Sequence, residues 1–231
     1  LRISIIIPTL NEEDTIGILL RELSATAREE IHEIIVADGC STDQTREMAS
    51  AAGARVILCR GTGRASQMNE GAGAASGEVF YFLHADTIPP ADFCQYIRRA
   101  LQDGAGAGCF RLSFSGNHPV LRFYSWFTRF KSTFVRFGDQ SLFVKSEVFW
   151  KAGGFNENLS VMEDQEIVRR LKKISRFKVI NKPVVTSARK YEENGVLKMQ
   201  FIFMVIFGLY YAGVRQDTLL GLYKTLIKRV N

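Results

Sequence analysis

The run Phe82-Leu83-His84-Ala85-Asp86-Thr87 joins an apolar segment to a carboxylate. Its lead-in, Val79 to Leu83, reads as a buried parallel strand, and open α/β sheets gather their ligands at the carboxyl ends of such strands. Asp86 is thereby a candidate ligand for a hard divalent cation, Mn2+ or Mg2+, which takes one or two carboxylates, keeps several waters and bridges phosphates. His84 stands where a second acid would complete an Asp-x-Asp clamp. An imidazole can ligate Mn2+, hydrogen-bond a phosphate or end a strand as a satisfied structural residue, and the sequence leaves all three open.

Four other segments hold candidate chemistry. Pro8-Thr9-Leu10-Asn11-Glu12 joins a strand to a helix, where backbone groups and short polar side chains can line a base pocket. Ala37-Asp38-Gly39-Cys40-Ser41-Thr42-Asp43 is a second such loop. There Ser41, Thr42 and Asp43 read as a turn with a capping box, which leaves Asp38 free at the sheet edge to accept from a base N–H. Gly61 to Gly71 sets Arg64 and small residues at a helix start, a place that suits an anionic phosphate. It is no dinucleotide fingerprint, because the third glycine of G-x-G-x-x-G is Ser66, and it has no P-loop lysine. Tight packing of a small-residue helix accounts for its alanines and glycines and leaves Arg64 and Asn69 over. Val161 to Glu166 opens a helix with acids ahead of the basic Arg169, Arg170, Lys172 and Lys173, in part dipole complementation. Consecutive helical residues point about 100° apart, so Glu163 and Asp164 cannot aim at one spot.

The elements that must position these residues alternate strand and helix. Arg2 to Pro8, Glu33 to Ala37 and Arg55 to Cys59 are apolar runs separated by segments of helical period, a βαβ rhythm. The first helix begins near Glu13 and puts Ile16, Leu19, Leu20 and Leu23 on one face. Others are expected after the capping box and over about Ala65 to Ala75, Ala91 to Leu101, Pro119 to Lys131 and, capped, Asp164 to Lys173; Ala107 to Phe114 and Ser141 to Lys145 read as strands. Pro119 to Lys131 carries Val120, Phe123, Tyr124 and Phe127 at apolar spacing, with Arg122 and Arg129 on another face. Phe201 to Ala212 is apolar or aromatic throughout, about 18 Å as a helix against the roughly 30 Å of a bilayer core, so it should not cross a membrane. Core packing, a homo-oligomer contact and peripheral membrane contact through 198–215, flanked by Lys198 and Arg215, all stay open.

A chain of 231 residues with 46% hydrophobic content can fill the core of one large α/β domain or a domain with an appendage. The net charge of +6 favours an anionic partner. Helix-turn-helix, zinc-finger and ribonucleoprotein signatures are absent, so no nucleic acid partner is expected. The four cysteines have no Cys-x-x-Cys spacing and read as reduced thiols. The chain opens directly into a strand with no signal peptide, so a cytoplasmic location is expected, with membrane association as the alternative.

Taken in order, Ile5-Ile6-Ile7-Pro8-Thr9-Leu10-Asn11-Glu12, Asp38-Gly39-Cys40-Ser41-Thr42-Asp43, Asn69-Glu70-Gly71, His84-Ala85-Asp86, Gly153-Gly154-Phe155 and Glu163-Asp164 resemble a family 2 glycosyltransferase of the GT-A fold, from Ile3 to Lys173. The resemblance implies a Rossmann-like three-layer α/β/α sandwich with a mostly parallel central sheet and a helical C-terminal segment. It divides the chain into a domain over 1–190, with a nucleotide-binding half to about 103 and an acceptor half beyond it, and an appendage over 191–231. It further implies inverting transfer of a sugar from a nucleotide-diphosphate donor, UDP-sugar favoured, to a hydroxyl acceptor with a divalent cation. Pro8, Thr9, Asn11, Glu12 and Ala85 would line the nucleotide-sugar pocket, Asp38 would contact the base, and Arg64 and Asn69 would lie near ribose or diphosphate. Asp86, with His84, would hold the metal, and Asp164 would be the general base. The pattern departs from the family at Gly39 and His84, each standing in place of an acid. His-Ala-Asp-Thr and Gly-Arg-Ala-Ser-Gln-Met-Asn are also similar to a bacterial subgroup linked to radical SAM and arsenosugar pathways. A C-terminal Gln-x-x-Arg-Trp of processive synthases is absent, which points to a single transfer. A sugar-phosphate nucleotidyltransferase would carry a Gly-rich loop after the first strand, and Thr9 to Asp14 holds no glycine. A non-catalytic nucleotide-sugar binding module is the third reading.

Overall fold

Ile3–Thr9 form the first strand with all seven side chains buried, because the strand is covered on both faces. Ile3, Ile5 and Ile7 point into one core layer and Ile6 into the other, the period-2 alternation of a strand inside a sandwich. The computed structural model describes residues 1–27, 29–61, 63–130, 132 and 138–227. Thr62 of the Gly61 loop and Lys131, expected to end the aromatic helix, lie outside the described residues.

The strands are β1 (Ile3–Thr9), β2 (Ile31–Asp38), β3 (Arg55–Leu58), β4 (Val79–Phe82), β5 (Thr87–Ile88), β6 (Ala107–Phe114), β7 (Leu142–Lys145) and β8 (Phe177–Thr186). The helices are α1 (Glu13–Ala27), α2 (Thr45–Ala51), α3 (Arg64–Ala74), α4 (Phe93–Gln102), α5 (Pro119–Phe127), α6 (Ser146–Lys151), α7 (Glu163–Ile174), α8 (Arg189–Asn194), α9 (Val196–Tyr211) and α10 (Gln216–Leu226). One sheet runs β3-β2-β1-β4-β7-β6-β8-β5. Strands β1 to β4 are mutually parallel, and β7 reverses direction between β4 and β6. β8 is parallel to β6, and the short β5 is antiparallel to β8.

Helices α1 and α4 cover one face, burying Ile16, Leu19, Leu20, Leu23 and Ile97. Helices α3, α6 and α7 cover the other around Phe80, Phe82, Phe149 and Ile167. This is the three-layer sandwich. A third cluster joins Leu121 of α5 to Met199, Ile202 and Ile206 of α9. Among the described residues no helix is long and apolar enough to cross a membrane, and all four cysteines are free thiols.

Two helix starts differ from the expected capping. Helix α2 starts at Thr45 with no side-chain bond from its N-cap Gln44, so the capping box does not form, but Asp43 Oδ1 accepts Thr45 N–H at 3.0 Å as the turn reading expects. Helix α7 starts one residue earlier than expected, after Met162 in the left-handed region at φ 69°, again without a side-chain cap.

The glycines of α3 act through close approach, as the small-residue reading expects. A Cβ on Gly71 would sit 2.5 Å from Ile6 Cγ2 and 3.4 Å from Ala37 Cβ, both on buried strands. Ile6 is β-branched and fully buried, so it has little room to yield. Gly71→Ala is therefore expected to cost about 1–3 kcal/mol through overpacking. Urea denaturation measures it, and an unchanged midpoint contradicts this packing.

Candidate active site

Strand direction decides which loops meet. The loops after β1, β2 and β4 leave the sheet at one edge because these strands are parallel. Reversal of β7 brings the loop before it, the 3-10 turn Gly138–Gln140, to that same edge. The carboxyl end of β8 arrives there too: Ser187 N–H donates to the Asp86 carbonyl at 3.0 Å, and Thr87 pairs with Thr186.

The first two loops are welded to each other. Asp38 is fully buried, and its carboxylate accepts from Ser41 N–H at 2.9 Å, Ser41 Oγ at 2.5 Å and Thr9 Oγ1 at 3.1 Å. It is not the free strand-end acid expected from the sequence, because Ser41 is engaged with it instead of capping a helix. Asn11, at φ 57°, donates its N–H to Ser41 Oγ at 2.9 Å and accepts Thr42 N–H on its side-chain oxygen at 2.9 Å. Glu12 N–H donates to Thr45 Oγ1 at 2.7 Å, and Glu13 N–H to Asp43 Oδ2 at 3.2 Å. Gln67 of α3 donates to the carbonyls of Thr9 and Ala37, at 2.6 and 3.3 Å. Pro8 pairs with Ala37 inside the sheet, and Ala85 is packed in the core, so both present backbone more than side chain.

The third loop meets the charged residues. Arg64 opens α3 and reaches Glu163, the first residue of α7, at 3.4 Å across 99 residues of chain. Burial works against the guanidinium, but Glu163, then Asp164 and Asp139, hold it above its ordinary range. Burial and then the same Arg64 press His84 well below an ordinary imidazole, so the ring is neutral at pH 7. Burial raises Asp86, and Asp139 adds to the rise. Burial also raises Glu12; its bond from Thr15 Oγ1 at 2.7 Å opposes the rise and Asp86 adds to it. Asp86 thus repels both Glu12 and Asp139, while Arg189 and Arg64 draw Glu12 down and Arg64 draws Asp86 down, a mixed field with room for a cation.

Asp164 and Glu163 do diverge as helical spacing requires. Glu163 is buried against Arg64, while Asp164 lines a cavity of about 20 Å³, room for roughly one water, with His84, Gln140, Phe82 and Phe155. Asn69 is not brought into this group. Its amide donates to the Phe155 carbonyl at 2.9 Å and to Glu157 at 2.8 Å, and its oxygen accepts Phe155 N–H at 2.8 Å. It fastens α3 to the Gly153-Gly154-Phe155 turn, where Gly154 has φ +66° and Asn69 Oδ1 stands 2.8 Å from where its Cβ would be.

Sequence reasoning missed Asp139, and with it Lys190, Tyr191 and Tyr223. Burial and Asp139 push the Tyr191 phenol up, Lys190 is among the charges that depress His84, and Lys190 donates to the Tyr223 hydroxyl. The signal for Asp139 was its place just before a strand, which marks the edge only once that strand is known to run backwards.

Among the described residues no three His, Cys, Asp or Glu side chains are grouped to hold a metal. Asp86 and His84 would offer a carboxylate oxygen and an imidazole nitrogen. That donor set fits a hexacoordinate cation whose other ligands are phosphate oxygens and water, and the imidazole suits Mn2+ better than Mg2+.

A family model described as glycosyl transferase family 2 matches residues 4–153. Glucosyl-3-phosphoglycerate synthase of Mycolicibacterium paratuberculosis is 34% identical over 96 residues, 38% of this chain and 29% of that protein. Undecaprenyl-phosphate 4-deoxy-4-formamido-L-arabinose transferase of Serratia proteamaculans is 27% identical over 112 residues, 45% of this chain and 34% of that protein. The chain therefore spans about a third of the length of these curated relatives. Among solved structures, the mannosyltransferase PcManGT from Pyrobaculum calidifontis, in complex with GDP-Man and Mn2+, has a TM-score of 0.72 at 18% identity, covering 91% of this chain and 64% of that one. Glucosyl-3-phosphoglycerate synthase from Mycobacterium tuberculosis, in complex with Mn2+, UDP and glucosyl-3-phosphoglycerate, has a TM-score of 0.60 at 21% identity, covering 92% and 80%. At these identities the likeness is one of fold.

The weld makes a stability prediction. Asp38→Ala leaves three donors at a buried site without their acceptor and is expected to cost about 3 kcal/mol. Urea denaturation reads the loss, and a cost near zero contradicts the weld.

Proposed function

The chain belongs to glycosyl transferase family 2, and from that membership we propose that it moves a sugar from a nucleotide-diphosphate donor to a hydroxyl acceptor, with inversion at the anomeric carbon. The observation that carries this reading is the meeting of Asp86, His84, Arg64 and Asp164 at the edge where the welded loops of β1 and β2 also end. Thr9, Asn11, Glu12 and Asp38, with the backbone of Pro8 and Ala85, form the nucleotide side. Asp38 also fixes the shape of that pocket through Thr9 and Ser41. A UDP-sugar is the favoured donor, in keeping with the UDP in the mycobacterial structure.

Asp86 and His84 would hold Mn2+ or Mg2+; when bound, the cation supplies positive charge to the departing diphosphate. Arg64 supplies a fixed cation on the same side, and Glu163 holds its guanidinium in place. Asp164 takes the acceptor hydroxyl proton as general base. Asn69 acts one step away, keeping the Gly153-Gly154-Phe155 turn and so the α7 start in register.

The division at 190, a cytoplasmic location, and peripheral membrane contact or a homo-oligomer through 198–215 are proposals of the same kind. The subgroup linked to radical SAM and arsenosugar pathways rests on its two motifs alone, and the relatives named above add nothing to it.

Thermal melting with UDP, GDP, CDP and TDP, with and without Mn2+, finds the donor class, since a ligand that binds only the native state raises the midpoint. One diphosphate should stabilise the chain, and more so with Mn2+; no shift with any of them removes the donor from the proposal. Asp164→Asn should lower transfer at least about 100-fold, as loss of a general base does, while keeping the shift by the diphosphate. Release of nucleoside diphosphate marks transfer and release of pyrophosphate a nucleotidyltransferase. Transfer by Asp164→Asn within about tenfold of the parent contradicts the base assignment.

A further inference from the structure

Helices α5 and α9 pack against each other and bury Leu121, Met199, Ile202 and Ile206 between them and their neighbours. Their outward faces are apolar as well. On α9 the stripe Leu197, Phe201 and Met204, spaced four and three residues apart, is 71%, 62% and 64% exposed. On α5 and just beyond it, Phe123, Trp126 and Phe130 are 60%, 43% and 44% exposed, with Trp126 and Phe130 edge-to-face at 5.0 Å. Single exposed apolar residues are ordinary, but an exposed apolar stripe on each of two helices packed together calls for a partner.

Charge selects the partner. In the sequence no Asp or Glu falls between Asp103 and Asp139, or between Glu193 and Asp217, so neither helix holds an acid. Arg122 and Arg129 are exposed on this part of the chain, the Arg129 guanidinium lies 4.6 Å over the Trp126 ring, and Lys198 is exposed beside Leu197. A second copy of this chain would bring cations against cations. An anionic bilayer instead offers negative headgroups to the basic rim and acyl chains to the aromatic face, the pattern of interfacial helices.

We infer that the exposed apolar stripes of α5 and α9 dock the protein on an anionic phospholipid surface. This rests on the membrane branch of the preceding reading, and on none of its transfer chemistry.

Co-sedimentation of the full chain with vesicles tests it, using phosphatidylcholine alone and phosphatidylcholine with about one third phosphatidylglycerol. The chain should pellet with the anionic vesicles and release at high salt. Arg122→Gln with Arg129→Gln should weaken this roughly 25-fold, about fivefold per cation. Phe201→Ser with Met204→Ser should weaken it at least about tenfold. All four side chains are exposed, and retained melting points with retained stabilisation by the nucleoside diphosphate report an intact fold and site. Failure to pellet with anionic vesicles overturns the inference, as does equal binding to neutral ones. A concentration-dependent dimer that Phe201→Ser with Met204→Ser dissolves, without vesicle binding, overturns it in favour of a second copy. Each of these outcomes leaves the diphosphate-induced shift, and so the transferase reading, untouched.

Discussion

The antiparallel pairing of β7 with β4, with Leu142 opposite Phe82, decides what the site contains. Four parallel strands alone would offer the loops after β1, β2 and β4 and the start of α3. Reversing one central strand adds the turn before it, and with it Asp139. Because β8 runs parallel to β6, it delivers Ser187, Lys190 and Tyr191 to the same edge. Burial on both faces holds the register, since a slip of one residue would turn Phe80 and Phe82 out of their layer and Tyr81 into it.

Once these loops meet, their charges must be reconciled. Glu12, Asp86, Asp139, Glu163 and Asp164 gather around Arg64, with Arg189 beside Glu12 and Lys190 near His84. Arg64 pairs directly with the most buried of them, Glu163, which spares that carboxylate an uncompensated desolvation. Burial, with the same guanidinium second, keeps His84 neutral. Histidine in the place of the first acid of Asp-x-Asp therefore leaves one negative charge fewer at the strand end, while Asp139 brings one back from the turn before β7. A diphosphate with its cation is nearly neutral as a unit and suits such a mixed field better than a bare anion or a bare cation does.

Strand and helix order was legible because it rests on local periodicity: Ala107 to Phe114 is the observed strand, and α3 lies within a residue of its expected bounds. Asp86 at a strand end and the divergence of Glu163 from Asp164 follow from backbone geometry alone. The roles of Ser41, Thr42 and Asp43 were not legible. Their pattern fits a helix cap as well as a weld, and only the neighbouring Asn11 and Glu12, thirty residues away in the chain, decide between the two. Asn69 looked free for a ligand because its partner, Phe155, is 86 residues away. Asp139, Lys190 and Tyr223 depend on strand direction and on the fold-back of α10, which no short window of sequence contains.

The central claim is that the β4 loop, with Asp86 and His84, meets the β1 and β2 loops to form one donor site. Crystals of the chain grown with UDP and Mn2+, with anomalous data collected at the manganese edge, test it most directly. The anomalous peak should fall against the Asp86 carboxylate and the His84 ring, with the uracil beside Thr9 and Asp38. A peak on another face, or a nucleotide bound away from these three loops, contradicts it.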